Sequence, residues 1–315
     1  MSGSAFTSPH IKHIDRRQFA KGIAVGLVAA NIGALYTVFA RWGIERGLSS
    51  PDLTVLRFGV AGVLMLPVFA LAWRRDSAQI TGRWKVWLMV ALFAGTPFGL
   101  LIFGALQFAP PSHAAVFPFT AMSVMGMVLG ALVLRDRMTL RRVVGIGVVL
   151  IGLVLVSGVD ASSLTLRASL GDAMFLLAGT LWAGFGIVSR KHRLDPLLAT
   201  SVISISALVT YVPAYFWFTG AKHLMDADRT VLLVEAVVQG GIAGVGTLYT
   251  YSKLVSLLGP SRAAVFPALA PGLAALMAWP VLGHVPVTME AIGLLLVMLG
   301  LIVAVTASTA TSDKT

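Results

Sequence analysis

One arginine stands inside an apolar run. Arg57, in LTVLRFGVAGVLML (53–66), is the single Lys or Arg well within a stretch of membrane-spanning hydrophobicity. A guanidinium at that depth is costly unless it meets a partner or water, and such residues are functional by default. Arg57 could bind a substrate carboxylate or phosphate, since guanidinium holds either through two parallel hydrogen bonds. It could equally pair with Glu235, or extend its head toward the nearer surface. Gln239 follows Glu235 by one helical turn. Asn31, Tyr36 and Trp182 fall near mid-span. These six residues form the candidate substrate-binding set. Each polar member could line a cavity or bridge two helices instead. Pro118, Pro267 and Pro271 interrupt helical hydrogen bonding and are candidate hinges. Tyr249 and Tyr251 lie near a span end, where an interfacial aromatic belt is expected.

Other chemistry is excluded by what the chain lacks. There is no cysteine, so disulfides, thiolate nucleophiles and Cys-held metals are ruled out. The six histidines, at 10, 13, 113, 192, 223 and 284, fall in tails, loops or span ends, and no HExxH occurs. No catalytic residue, metal ligand or cofactor is expected, and an intramembrane enzyme lacks its required groups. QGGIAGVG (239–246) contains a G-x-x-x-G, which suits close helix packing better than a nucleotide loop. Glu235 is the deepest carboxylate. Facilitator, exchanger and proton antiporter all stay open, with protons the candidate coupling ion.

Such residues need spans to hold them. Of 315 residues, 57% are hydrophobic and 12% charged, and mean hydropathy is +0.88. A soluble domain carries about 25% charged residues. The net charge of +11 sits in short loops, as membrane topology requires, and does not indicate nucleic acid. The expected fold is an all-α polytopic membrane protein with ten transmembrane helices. They lie near 22–43, 52–73, 84–107, 112–134, 140–158, 168–189, 196–218, 231–255, 261–283 and 287–307. Residues 1–21 form a basic tail and 308–315 a short polar end. DRRQFAK (15–21) resembles a twin-arginine export signal but reads better as a juxtamembrane anchor. With the N-terminus cytoplasmic, inner segments hold 18 Lys and Arg and outer segments 5. Both termini are therefore expected in the cytoplasm.

The chain repeats itself. PSHAAVFP (111–118) and PSRAAVFP (260–267) lie 149 residues apart. The same offset brings Gly22 onto Gly171, Ala34 onto Ala183 and Gly95 onto Gly244. Gly145 and Gly152 match Gly293 and Gly300 after one deletion. Residues 22–158 and 168–307 are thus two five-helix units. Five is odd, so the second unit enters the membrane from the opposite side. The variable letter fits: His113 is expected outside and Arg262 inside, and Arg135 inside matches His284 outside. An inverted repeat allows one central site to open to either side in turn. A passive channel needs rings of like groups around an axis; one chain with two inverted halves offers none obvious, and an oligomer could supply one.

The ten spans, the repeat, LTVLRFGVAGVLML (53–66), LYTYSKLVSLLGPSRAAVFPALAPGLAAL (248–276) and VTMEAIGLLLVMLGLIV (287–303) together resemble the drug/metabolite transporter superfamily in its EamA-type ten-helix form. The likeness runs over nearly the whole chain. Pro271 matches the family's proline in helix 9. Arg135, His284 and Lys253 depart from the family's usual residues. The resemblance implies a secondary transporter in a bacterial inner membrane, most often exporting an amino acid or related compound. Efflux of cationic drugs and exchange of nucleotide-type metabolites are the alternatives. The expected partners are a small-molecule substrate and the lipid bilayer, and the expected state is monomer or homodimer.

Overall fold

The computed structural model describes residues 16–109, 111–134, 139–156, 165–220, 222–258, 263, 266–283, 285 and 287–306. Arg135, Arg262 and His284 lie outside them, as do 1–15 and 307–315 of the two tails. Among the described residues every element is helical and no strand occurs. The helices are α1 (Arg16–Glu45), α2 (Ser50–Gly82), α3 (Trp84–Ala94), α4 (Thr96–Ala105), α5 (Pro111–Leu134), α6 (Leu140–Val156) and α7 (Leu166–Lys191). Then come α8 (Pro196–Thr219), the short α9 (Lys222–Asp226), α10 (Arg229–Glu235), a π-helical segment (Ala236–Val245) and α11 (Gly246–Leu258). A 3₁₀ turn (Pro267–Leu269), α12 (Ala270–Leu282) and α13 (Thr288–Thr306) complete the chain.

Seven stretches are long and apolar enough to cross a membrane, while Ala270–Leu282 and Thr288–Gly300 are shorter apolar helices. Helix α6 has 17 residues. Full-length helices among the described residues therefore number fewer than the ten expected spans.

The helix starts are written locally. Ser49 and Asp52 form a capping box at the head of α2, next to Pro51. Asp195 caps α8 ahead of Pro196, and Thr165 caps α7. Each cap satisfies backbone N–H groups that have no partner inside the helix.

Three spans that sequence alone reads as continuous contain irregular backbone. The third stretch breaks at Gly95 between α3 and α4. A Cβ there would stand 2.3 Å from the Ala91 carbonyl oxygen, and Pro97 opens α4 at a position suited to a ring without an N–H. The matching stretch, 149 residues on, carries the π segment, which contains Gly244. In the ninth expected span a 3₁₀ turn, Pro267–Leu269, precedes the helix that starts at Ala270. Helix α5, by contrast, runs through Pro118 without a break.

Helices from the first half pack on helices from the second. α6 lies along α13, α2 along α8, α5 along α7, and α1 against α11 and α12. Small residues set the spacing, because without an aqueous driving force close backbone approach is what holds membrane helices together. A Cβ on Gly171 would meet Ala109, and one on Gly22 would meet Leu258. These two contacts are each other's images at the 149-residue offset.

Candidate functional site

A small, largely apolar cavity of about 30 Å³ lies where the two halves meet. Gly33 and Trp182, 149 residues apart, both line it, and so do Phe98 and Thr247, again 149 apart. Tyr36, Tyr251, Phe119 and Pro267 complete most of the wall. The irregular backbone is concentrated here: Phe98 follows the Gly95 break, Thr247 follows the π segment, and Pro267 opens the 3₁₀ turn. Discontinuous helices of this sort are where transporters place their sites, and π-helical turns recur at functional positions.

Trp182 organises the wall. Its ring centroid is 4.9 Å from Phe98, 5.3 Å from Tyr251 and 5.5 Å from Phe185. Offset and edge contacts of this kind fix aromatic planes relative to one another. The wall is mainly apolar, with few polar atoms. Two of them, Tyr36 Oη and Thr247 Oγ1, are buried without a hydrogen-bond partner. Buried hydroxyls are normally satisfied, so each is free to receive a polar group of a ligand.

Arg57 does not line this cavity. It is 1% exposed, and its Cζ sits 4.7 Å over the Tyr36 ring and 5.9 Å from the Phe98 ring. Phe58 and Phe103 approach at 5.9 and 6.0 Å. Cation–π attraction strengthens when the cation is desolvated, and four rings here take the place of water. Nε and Nη1 make no hydrogen bond. Two of the rings that carry Arg57 are also cavity walls, so its positive charge stands one ring away from whatever the cavity holds.

Glu235 is not the partner of Arg57. It is fully buried beside Gly43, where an added Cβ would stand 2.7 Å from Oε1. Gly43 lies seven residues above Tyr36 on α1, about 10 Å along the helix axis. Gln239 bridges the two levels, its Nε2 donating to the Tyr36 carbonyl at 2.9 Å. Asn31 faces away. It is exposed, donates to the Leu27 carbonyl one turn back, and lines an outer apolar groove with α12 and α13 residues such as Leu276 and Leu295. Tyr36 and Trp182 are thus the two members of the candidate set in the cavity wall. Arg57 and Gln239 stand directly behind Tyr36, Glu235 one turn further, and Asn31 elsewhere. Pro267 lines the cavity, Pro271 is buried in the first turn of α12, and Pro118 is buried within α5.

Tyr251 corrects the expectation of an interfacial belt. It is buried and faces the cavity, whereas Tyr249 is 37% exposed. Phe98, Phe119 and Thr247 were not singled out by sequence. Phe98 had one usable signal, its place just after a Gly-Thr-Pro break in an apolar run.

At one end of the bundle two histidine–carboxylate pairs join helices from different halves. His113 Nδ1 is 2.7 Å from Asp172 Oδ1, linking α5 to α7. His223 Nδ1 is 2.7 Å from Asp52 Oδ2. Asp52 also accepts from the Tyr215 hydroxyl at 2.5 Å and from the Ser49 backbone N–H at 2.7 Å. These contacts tie the head of α2 to the end of α8.

Comparison with known proteins agrees with this architecture. The EamA-like transporter family matches residues 20–158 and again residues 169–306. An uncharacterized transporter, YyaM, of Bacillus subtilis is 24% identical over 305 residues, covering 93% of this chain and 94% of its own. A probable amino-acid metabolite efflux pump of Salmonella typhimurium is 27% identical over 214 residues, covering 65% of this chain and 71% of its own. A solved crystal structure covers 93% of this chain and 99% of its own with a TM-score of 0.66 at 18% identity, a likeness of fold. With two family matches that together span most of its length, and apolar helices long enough to cross a membrane, this chain belongs to the EamA-like transporter family and is an integral membrane transporter.

Proposed function

We propose that the protein is a ten-span carrier that exports an amino acid or a closely related compound by alternating access. Its two five-helix halves would be inverted, with both termini in the cytoplasm. The observation that carries this reading is the central cavity, whose wall is drawn from matched positions in both halves. The packing pattern supports it too. Exchanging the halves turns the contact of α1 with α11 into that of α7 with the α3–α4 stretch, and both contacts exist. Gly95, the π segment and Pro267 are the places where rigid helical pieces can pivot, with Pro118 and Pro271 alongside.

The cavity chemistry narrows the cargo. Aromatic and apolar walls suit a hydrophobic side chain, and Tyr36 Oη and Thr247 Oγ1 offer hydrogen bonds to a polar head. Arg57 behind Tyr36 and Phe98 makes the cavity electropositive, which favours a carboxylate over a cation. Efflux of cationic drugs fits this site less well. The name of the Salmonella relative points the same way at low identity.

The test is uptake into proteoliposomes holding the purified protein, with a labelled panel of amino acids, nucleosides, sugars and cationic drugs. Saturable flux of an amino-acid group, lost in Trp182→Ala, is the expected result. Flux of cationic drugs alone would overturn the substrate assignment.

A further inference from the structure

Glu235 is fully buried, and neither carboxylate oxygen meets a donor in hydrogen-bonding geometry. Its nearest polar neighbours are Gln239 and the Gly43 backbone. Gln239 spends its Nε2 on the Tyr36 carbonyl, and its Oε1 is left buried without a partner. Three buried acceptor oxygens therefore share one helical turn, and the donors nearest Glu235, those of Gln239 and the Gly43 backbone, stand outside hydrogen-bonding geometry. Two acceptors facing each other in a low-dielectric site repel, and an uncompensated buried carboxylate is among the most expensive groups in a membrane.

The charged groups on the packed elements are committed elsewhere. On α1, Arg41 pairs with Glu45 and donates to the Leu106 carbonyl, and Arg46 lies over Trp42. On α2, Arg57 is held over Tyr36, and Asp52 is taken by Tyr215 and His223. On α10 itself, Arg229 stands at the exposed first position, six residues before Glu235. In the π segment the facing polar group is Gln239. Among the described residues, no ion pair reaches Glu235.

We propose that Glu235 is the site at which the carrier takes up and releases a proton, with Gln239 relaying its state to Tyr36 in the cavity wall. This rests on the transport reading above. In the protonated form a proton from water is bonded to one Glu235 oxygen. That O–H donates to Gln239 Oε1, while Gln239 Nε2 stays on the Tyr36 carbonyl, as observed. When the proton returns to water, the carboxylate becomes a pure acceptor and draws Nε2 toward itself. The Tyr36 carbonyl then keeps its own helix bond but loses the side-chain donor, and the stretch of α1 that carries the ring bordering the cavity and Arg57 loses its tie to the π segment. Gln239 lies in the π segment, whose wider turn gives it room to move. Proton occupancy and cavity shape are thereby linked through one amide side chain.

The experiment uses the full chain reconstituted in liposomes. Infrared difference spectra on a shift from acidic to alkaline buffer are recorded for wild type, Glu235→Gln and Gln239→Leu. The pH profile of labelled amino-acid counterflow is then measured on the same samples. The expected result is a protonated-carboxyl band that titrates in wild type and in Gln239→Leu but is lost in Glu235→Gln. The pH profile of counterflow is expected to flatten in both variants. An undiminished band in Glu235→Gln, a wild-type pH profile in that variant, or accumulation driven by sodium in place of protons would overturn the proposal. If wild type moves no amino acid, the substrate reading fails and the infrared band decides Glu235 by itself. Should Glu235→Gln not fold, Glu235→Asp must displace the band for the assignment to stand.

Discussion

Gly152 of α6 lies directly against Gly293 of α13. A Cβ on Gly152 would stand 2.8 Å from the Gly293 carbonyl oxygen, and a Cβ on Gly300 would stand 2.7 Å from the Gly145 carbonyl oxygen. Lower numbers on one helix meet higher numbers on the other, so the two run antiparallel. The contact is its own image when the halves are exchanged.

That reciprocity predicts matched penalties. Gly152→Leu and Gly300→Leu should each destabilise the protein by about 1–3 kcal/mol through overpacking. Thermal unfolding in detergent should show similar losses for both. Gly147, with nothing near its added Cβ, should tolerate Ala.

Arg57 acts through the rings it touches. Arg57→Lys keeps the charge but loses the planar cation that stacks on Tyr36. The expected loss is about 2 kcal/mol in transition from outside to bound substrate, roughly thirtyfold in KM. Arg57→Ala should lose at least as much. Counterflow of the transported amino acid at fixed pH measures both.

Asn31 and Trp182 looked alike by sequence and should now separate. Trp182→Ala removes the ring that contacts Phe98, Phe185 and Tyr251, and should abolish saturable flux. Asn31→Ala removes a hydrogen bond to its own helix on the outer groove and should leave flux within about twofold. Equal defects in the two variants would place the transported molecule in the groove instead.

Asp52 carries the junction of α2 and α8. Asp52→Asn keeps the shape but weakens four hydrogen bonds to the carboxylate, from Tyr215, His223 and the Ser49 backbone and hydroxyl, each worth about 1.5–3 kcal/mol when charged. It should lower the unfolding temperature more than Asp172→Asn, whose side chain has His113 as its single described partner. Tyr215→Phe should reproduce part of the Asp52 effect.

Asp228, ahead of the membrane-spanning part of its helix, supplies a pH dependence. Its carboxylate accepts from the Val231 and Thr230 N–H groups, which hold its pKa below the ordinary value. The cap is therefore complete above the unfolded carboxyl's pKa and is lost as pH falls through the lowered folded value. Protection of the Thr230 and Val231 amides, measured as exchange relative to the free peptide at each pH, should fall on acidification in wild type and be low at every pH in Asp228→Ala.

Composition, span lengths and the repeated octet were enough to establish a polytopic membrane protein with two related halves. They also picked out Arg57, Glu235 and Gln239, because a charged or amide side chain inside an apolar run has few places to go except the interior. Sequence could not say which face of a helix meets the cavity. In lipid both the outward and the inward face are apolar, so hydrophobic periodicity gives little direction. Asn31 and Tyr251 therefore exchanged places with expectation: one turned outward onto its own backbone, the other inward against Trp182. Gly95 and Pro97 mark the break between the third and fourth helices in the sequence, whereas the π segment was settled by tertiary packing, since its glycines permit more than one backbone spacing. The partner of Arg57 was decided last, by the register of α1 against α2 and α10. That register sets Tyr36 beside the guanidinium and Glu235 beside Gly43, with Gln239 between the two levels.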